Sequence, residues 1–282
     1  MKLVGFMDAA YQGKAPGRKL KTGKRNLIFN LEDLADQIGE KPCRAEVERL
    51  VPRDKNQLEL LISAQPGKKH AMLWGYITSL AAECATAPLI LPFRDYAGLE
   101  LGRGTIILQD TSGHPGSHVK SYAESHPDSH AKSHSEIHAA SHVGERMTGG
   151  KILVQGRAGD YLGQEMKGGG IIASGCRDYA FRNMRGGYGV VRGDAGKFAG
   201  LGNCCGRIAV LGSCGERAGW LMSGGNLRVR GDCGEYLGIL MSGGRITVTG
   251  KAGRRAGWRK KGGSIKAASY GPESVEDLLE LG

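Results

Sequence analysis

A pair of neighbouring glycines recurs about every nineteen residues through the C-terminal half of the chain. The second glycine of the pair, or its equivalent, stands at positions 150, 169, 187, 206, 225, 244 and 263, so the steps are 19, 18, 19, 19, 19 and 19 residues. A period of about twenty residues is typical of a solenoid, in which each repeat forms one turn and buries its apolar side against its neighbours. We therefore expect function to depend on stacked surfaces and not on one short motif.

Alignment of the repeats produces two apolar columns that lie two residues apart. The first column contains Ile152, Ile171, Gly189, Ile208, Leu227, Ile246 and Ile265, and the second contains Val154, Ala173, Val191, Val210, Val229, Val248 and Ala267. Because side chains alternate sides along a strand, both columns lie on one face, which must be the interior. The fold class predicted is mainly β: a right-handed parallel β-helix of about seven 19-residue turns, from near residue 89 to 268.

Each turn also contains a bend and a later segment that contribute further core columns. The bend supplies Leu162, Ala180, Ala199, Ala218, Leu237 and Ala256, and the later segment supplies Met147, Met166, Met184, Met222 and Met241. Corners need positive φ or close backbone approach, which glycine tolerates. Phe181 stands where the other turns carry glycine, inside the one turn that is a residue short, so we expect that turn to be distorted.

The first 86 residues lack the repeat and are predicted to form a small α+β cap. A basic run leads to a strand-like segment at 27–29, followed by helical patterns at 31–38, 44–50 and 72–85 and a possible strand at 58–62. Solenoids commonly need such a cap over the end of the stack. The predicted domains are the cap region (1–86), the β-helix (87–270) and a C-terminal helix (271–282).

A histidine-rich insertion at 111–143 interrupts the early β-helix. Its histidines recur at steps of four residues, except at one position taken by Tyr122, and they are His114, His118, His126, His130, His134, His138 and His142. On a helix this spacing would place imidazoles where pairs could bind zinc or nickel. Pro115 and Pro127 argue against a continuous helix, which favours a low-complexity insertion that loops out of one turn.

Composition excludes some classes of function. The net charge of +11 suits an acidic partner, but aromatic residues are few and no nucleic-acid recognition motif is present, so nucleic acid is disfavoured. No apolar run is long enough to span a membrane, and we expect a cytoplasmic protein. The seven cysteines lack C-x-x-C spacing. Cys214 and Cys233 share one repeat position, and the adjacency of Cys204 and Cys205 is awkward for chelation, so reduced structural thiols are expected.

The sequence shows no recognisable catalytic constellation. Acidic residues at the bend alternate with basic ones and form no paired-carboxylate ladder of the kind a glycosidase needs; these are Asp160, Asp178, Lys197, Glu216, Glu235 and Arg254. Zinc-protease, phosphate-binding and nucleophile-elbow motifs do not occur. We therefore predict no catalytic, cofactor-binding or metal-binding residues in this chain.

Four segments carry a resemblance to a known family. Residues 156–163 read Gly-Arg-Ala-Gly-Asp-Tyr-Leu-Gly, and 193–200, 231–238 and 250–257 repeat the pattern; a glycine pair follows each of them except 193–200. This resembles the GXGXG β-helix family, which occurs as a separate β-helical chain of formylmethanofuran dehydrogenase and as the C-terminal domain of the glutamate synthase large subunit. The resemblance covers roughly residues 89–268. A separate chain with its own N-terminal cap is more similar to the formylmethanofuran dehydrogenase chain.

The resemblance implies a non-catalytic scaffold subunit of a multi-subunit redox complex of one-carbon metabolism. Molybdopterin with molybdenum or tungsten, iron–sulfur clusters and metal ions are then expected on the catalytic partner subunits and not on this chain. The alternatives are a stand-alone glutamate synthase domain subunit and a metal-binding β-helix protein that acts through the histidine tract.

A docking face is predicted between the two inward columns. Leu153, Ile172 and Val190 face outward on consecutive turns and form an apolar patch of a kind that marks interaction sites. The patch is covered either by a partner or by this chain's own N-terminal region or C-terminal helix. The last turn is basic and is expected to stay solvated or to meet an acidic subunit; its basic residues are Arg254, Arg255, Arg259, Lys260 and Lys261.

Overall fold

The computed structural model describes residues 30–39, 41–109 and 139–274. The strand-like segment at 27–29, most of the histidine-rich insertion and residues 275–282 of the predicted C-terminal helix lie outside the described residues. Four α-helices occur in the described N-terminal region: α1 (Leu31–Ile38), α2 (Arg44–Leu50), α3 (Lys55–Ser63) and α4 (Ala71–Cys84), with a 3-10 turn at Lys68–His70 before α4.

The remaining described residues form a parallel β-solenoid. Its strands are β1 (Leu89–Leu91), β2 (Thr105–Leu108), β3 (Lys151–Ala158), β4 (Gly170–Cys176), β5 (Tyr188–Val191), β6 (Arg207–Val210), β7 (Ser223–Val229), β8 (Gly243–Val248), β9 (Lys251–Ala252), β10 (Ser264–Lys266) and β11 (Ser269–Tyr270). Nine of them pair in the order β1, β2, β3, β4, β5, β6, β7, β8, β10, each strand parallel to the next, and β9 pairs separately with β11. The parallel β-helix is therefore confirmed.

The register of the main sheet also agrees with the alignment of the repeats. Ile152 pairs with Ile171, and Ile208 pairs with Leu227. Both inward columns are buried from β3 to β8. Because β1 and β2 are complete members of the sheet, the described solenoid has about eight turns, one more than the sequence predicted.

One prediction about the N-terminal region, the possible strand at 58–62, is wrong. Residues 58–62, predicted as a possible strand, lie within α3, so the described part of the cap is helical and not α+β. Leu58, Leu61 and Ile62 are spaced three and four residues apart, the period of a helix face. Asp54 caps the helix by accepting a hydrogen bond from the Gln57 N–H at 3.1 Å.

Helix α4 closes the first turn of the solenoid because its side chains replace the missing preceding turn. The Gly98 N–H donates to Thr78 Oγ1 at 3.1 Å, and the Gly102 N–H donates to Glu83 Oε1 at 2.8 Å. In later turns the equivalent N–H groups donate to backbone carbonyls of the turn before. Arg44 holds Glu83 through two bonds of 2.9 and 2.7 Å. The cap thus satisfies backbone groups that an open end would leave unpaired.

An aromatic ladder runs along the bend of successive turns. Its first five members are Tyr96, His142, Tyr161, Tyr179 and Phe198, with successive ring centroids 4.6, 4.8, 5.0 and 4.7 Å apart. All five have φ between 57° and 61°, a left-handed conformation that costs non-glycine residues about 1–2 kcal/mol. Stacking and backbone bonds between turns, such as the Tyr161 N–H to the Asp178 carbonyl at 3.0 Å, offset that cost.

The ladder also places the end of the histidine-rich segment inside the solenoid. His142 stacks between two tyrosines, and Val143 is completely buried. The Ser141 N–H donates to Asp95 Oδ1 at 2.8 Å, which joins the turns on either side of the insertion. Residues 139–143, assigned from the sequence to the insertion, therefore belong to a turn, and His142 is a ladder member.

The turn that contains Phe181 is irregular, as predicted, but at β4 and not at the Phe181 corner, because the register between β3 and β4 shifts between Val154 and Arg157. Phe181 itself fits its corner. Its φ of 58° matches that of Gly163 and Gly200, 64° and 71°, which occupy the same corner in other turns. Its side chain is fully buried and lies where the inward column has Gly189 and therefore no side chain. The two exceptions to the repeat compensate each other, because the phenyl ring fills the space that an isoleucine fills in neighbouring turns.

The methionine column is buried as predicted, and one position in it is polar. Met147, Met166, Met184, Met222 and Met241 have no exposed surface, and Asn203 takes the intervening position between the third and fourth methionine, also with none. At the last turn, β11 extends the solenoid and Ser274 is buried. Residues 271–274, assigned to the C-terminal helix, are therefore part of the solenoid.

No helix within the described ranges has the length and hydrophobicity that crossing a membrane requires.

Candidate interaction surface

One column of outward-facing residues crosses the whole main sheet, and its residues change from aliphatic in the early strands to mainly polar or basic in the late ones. The paired residues, in strand order, are Ile90, Ile107, Leu153, Ile172, Val190, Ala209, Arg228, Thr247 and Lys266. The predicted stacking of Leu153, Ile172 and Val190 is confirmed. The first five positions are all branched aliphatic residues, and we call them the aliphatic stripe.

The aliphatic stripe lies outside the solenoid core. None of its five members belongs to the buried hydrophobic cluster. Ile90, on the edge strand, is 55% exposed, and the other four are half-buried by one another and by flanking side chains. A depression of about 230 Å³ lies beside Leu153 and Ile172 and is bordered by Gln155, Ser174 and Arg192. Among the described residues the stripe is therefore a shallow apolar surface outside the core, and its predicted cover by this chain's own N-terminal region or C-terminal helix concerns residues outside those described.

The sequence prediction covered only three of the five stripe members. Ile90 and Ile107 extend the stripe by two strands toward the cap. A signal for them exists in the sequence, because each is the outward residue of a short apolar strand. Alignment of the repeats does not reveal it, since the spacing of β1 and β2 departs from nineteen residues.

The late half of the same face is basic. We call this set the basic face, and its members, all exposed, are Arg192, Arg207, Arg228, Arg230, Arg245 and Lys266. Among the described residues, none of them forms a salt bridge. No acidic side chain points outward from the described strands β5 to β8 and β10 in the paired positions. As far as the described residues extend, the face therefore presents positive charge without acidic partners beside the aliphatic stripe.

Among the residues that the structure describes, the basic last turn has one acidic partner, Glu273, for two of its five basic residues. Arg254 and Arg255 each approach Glu273 at 2.5 Å, which lowers the pKa of the Glu273 carboxyl through hydrogen bonds from both guanidinium groups. Arg259 lies over the Trp258 ring at 4.3 Å. The sequence predicted that this turn stays solvated or meets an acidic subunit. Arg254, Arg259 and Lys261 are exposed, and within the described ranges Arg259, Lys260 and Lys261 form no salt bridge.

The acidic residues of the bend have a structural role. Asp160 Oδ1 accepts a hydrogen bond from the Asp178 N–H at 3.0 Å, and Asp178 Oδ1 accepts one from the Lys197 N–H at 2.8 Å. Two further aspartates make the same kind of bond to the next turn. Asp194 Oδ1 accepts a hydrogen bond from the Ser213 N–H, and Asp232 Oδ1 accepts one from the Lys251 N–H, both at 2.7 Å. These carboxylates therefore join consecutive turns.

Three cysteines lie in the core. Cys176 is buried, and burial raises the pKa of its thiol to about 12. Cys214 and Cys233 pair as backbone neighbours on adjacent turns, and their mutual hydrogen bond together with burial raises the pKa of Cys214 well above its usual value. All three thiols are shielded from reagents by burial, in agreement with the structural role predicted for them.

A metal site can be assessed only for the described ranges. In residues 30–39, 41–109 and 139–274, no three His, Cys, Asp or Glu side chains lie together in an arrangement that could hold an ion. Of the histidine tract, His142 alone falls in these ranges, where its ring stacks in the aromatic ladder and its Nδ1 lies 2.6 Å from Glu145 Oε2. The metal-binding alternative concerns residues outside those described.

Comparison with protein-family models and with curated proteins gave no match. Function is therefore inferred from the surface of the solenoid and from the resemblance of its repeats.

Proposed function

We propose that this chain is a non-catalytic scaffold subunit of a formylmethanofuran dehydrogenase-type redox complex, similar to the β-helical chain of that enzyme. Its outer sheet face would bind a catalytic partner. The observation that supports this most is the aliphatic stripe that continues into the unpaired basic face on one sheet. Exposed contiguous apolar surface on a folded domain commonly marks an interaction site.

The dimensions of the face determine how much of it a partner must cover. Nine strands about 4.8 Å apart make a surface about 40 Å long, and four or five residues of strand make it about 15 Å wide, or roughly 600 Å² in projection. A stable interface buries about 800 Å² on each partner. A partner would therefore need to cover both halves of the face and would meet the basic face with acidic side chains.

The polar groups of the solenoid support a structural role. The bend carboxylates bind backbone N–H groups of the next turn, and the aromatic rings stack on one another. Both ladders stiffen the stack and leave the sheet face as a rigid platform. Molybdopterin, iron–sulfur clusters and metal ions would belong to partner subunits, an expectation that rests on the resemblance of the repeats.

A pull-down with a variant that introduces negative charge into the aliphatic stripe tests the proposal. The Leu153→Glu, Ile172→Glu double variant places two carboxylates in the aliphatic stripe without changing a core residue. Leu60→Glu is the matched control, because Leu60 is an exposed leucine, 54% accessible, on helix α3 of the cap. Tagged versions of each are expressed in the native host, and companion chains are identified by mass spectrometry.

We expect both variants to fold, as circular dichroism and thermal melting would show, and only the double variant to lose its companions. Companions retained by the folded double variant would rule out this face. The identity of the companions separates the alternatives: amidotransferase or flavin subunits would indicate a glutamate synthase, and molybdopterin or iron–sulfur subunits would support the complex proposed here.

Reversal of the basic face supplies an independent test. Arg228→Glu with Arg230→Glu should weaken partner binding, and added salt should weaken binding of the parent, because opposite charges on exposed surfaces are screened. Binding that is indifferent to both changes would show that the partner does not cover the late turns.

A further inference from the structure

The corner at Cys204 and Cys205 departs from the other β-helix corners from residue 149 onward. The position of Cys205 is held elsewhere by the first glycine of each pair: Gly149, Gly168, Gly186, Gly224, Gly243 and Gly262. A Cβ at any of these glycines would overlap a backbone carbonyl oxygen of the preceding turn. Cysteine at this position therefore requires a corner of different shape.

Asn203 provides that shape. It replaces methionine in the buried column, and its amide donates from Nδ2 to the Gly206 carbonyl at 3.1 Å and accepts from the Gly206 N–H at 2.9 Å. At the next corner two consecutive N–H groups, of Ser223 and Gly224, donate to one carbonyl of the turn before. At this corner a single N–H, that of Cys204, donates to the Met184 carbonyl at 3.0 Å, as the Arg185 N–H alone does to the Met166 carbonyl one turn earlier.

The two departures from the repeat thus act together. The buried amide holds the chain from residue 203 to 206. At the Arg185–Gly186 corner, which has no such amide, a Cβ at Gly186 would still overlap the Lys167 carbonyl oxygen although only one N–H bond is made there. The amide is therefore the feature that accompanies a side chain at residue 205. Cys205 is exposed and Cys204 is half-buried, and their sulfur atoms lie 3.3 Å apart. The pair is therefore both accessible and held in mutual contact, unlike the buried Cys214 and Cys233.

We propose that Cys204 and Cys205 form a reversible dithiol–disulfide site that exchanges with small-molecule disulfides of the glutathione type. The exposed Cys205 thiolate attacks one sulfur of the small disulfide, so a mixed disulfide forms and one thiolate leaves. Cys204 then loses its proton and attacks Cys205 Sγ, which expels the second small thiolate. The two protein thiols are oxidised, the small disulfide is reduced to two thiols, and no other oxidant is needed.

The ring formed by neighbouring cysteines explains why the site is reversible. Adjacent Cα atoms are about 3.8 Å apart, whereas disulfides usually join Cα atoms about 4.4–6.8 Å apart. Strained and exposed disulfides have higher reduction potentials and are the labile ones. Burial of Cys204 raises the pKa of its thiol, which makes Cys205 the more suitable attacking group. Small thiols should reopen the ring readily.

The test uses the full chain with Cys43→Ser and Cys84→Ser, because these are the other exposed cysteines in the described ranges. The reduced protein is incubated with glutathione disulfide, and released glutathione and intact protein mass are measured. We expect two glutathione thiols released per chain, a protein lighter by two hydrogen atoms, and full reversal by reduced glutathione. A stable glutathione adduct, or no reaction, would refute the proposal.

A matched variant identifies the second step. With Cys204→Ser added, the resolving thiol is lost, and we expect one glutathione released per chain and a lasting adduct on Cys205. Thermal melting of this variant shows whether it is folded. If the variant instead releases two glutathione thiols per chain and carries no adduct, another cysteine resolves the mixed disulfide and the assignment of the pair is wrong.

Discussion

The compensation between Phe181 and Gly189 provides a quantitative test of the core register. The Phe181 ring occupies the space beside Gly189, where a Cβ would overlap Phe181 Cζ. Phe181→Gly removes a fully buried ring, which costs about 3–5 kcal/mol. Glycine at φ 58° recovers about 1–2 kcal/mol of backbone strain, so we expect a net loss of about 2–3 kcal/mol.

The reciprocal change overfills the same space. Gly189→Ile restores the residue of the neighbouring turns but forces it against the phenyl ring, and overpacking of this kind costs about 1–3 kcal/mol. The double variant Phe181→Gly, Gly189→Ile recreates the ordinary repeat. We expect its free energy of unfolding to lie within about 1 kcal/mol of the parent, which requires a favourable coupling of about 2–6 kcal/mol between the two changes.

Urea denaturation of the parent, the two single variants and the double variant measures that coupling directly. Val248→Ala combined with Gly189→Ile is the matched control, because Val248 lies three strands away in the same core and the two costs should add. Additive losses in the Phe181 and Gly189 pair would refute the reasoning that the ring replaces the missing side chain.

Three further predictions concern other parts of the fold. Val210→Asp should destabilise the protein by several kcal/mol, because it places an unpaired charge in the core, whereas outward Ala209→Asp should change the melting temperature little; equal effects would mean that the register is wrong. Burial raises the pKa of Tyr76 from 10.0 to about 12, so the stability it contributes is complete below the unfolded pKa and is lost as pH rises from about 10 to 12. The stability advantage of the parent over Tyr76→Phe in urea should therefore shrink across that range, and a constant advantage would contradict this. Deletion of 111–138, with 139–143 kept, should leave the melting temperature nearly unchanged, because the turns on either side bond directly to each other; a large drop would give the insertion a structural role.

The repeating part of the fold could be predicted from sequence because similar residues recur at the same position of each turn. Ile152, Ile171 and Ile208 recur at one repeat position, and a buried column follows from alternation along a strand. The cap has no such internal copies. The short apolar run at 58–62 is compatible with a strand or a helix, and the helix depends on the cap at Asp54 and on packing against α4.

Exceptions to the repeat were harder to interpret than the repeat itself. Phe181 could be recognised as an exception, but its compensation by Gly189 depends on side-chain direction across two turns. The role of Cys205 likewise depends on the side-chain hydrogen bonds of Asn203, which spacing does not reveal. The outward arginines were in the sequence, but that no described acidic side chain pairs with them is a property of the assembled sheet.

The proposed scaffold role requires that this chain be bound to catalytic subunits in its own cells. Native mass spectrometry of the chain purified from those cells measures this. We expect one particle in which the chain is bound in fixed ratio to other subunits that carry molybdenum or tungsten and iron, and which the Leu153→Glu, Ile172→Glu variant fails to form. Recovery of the parent chain without partners, at cellular concentrations and low salt, would refute the scaffold role.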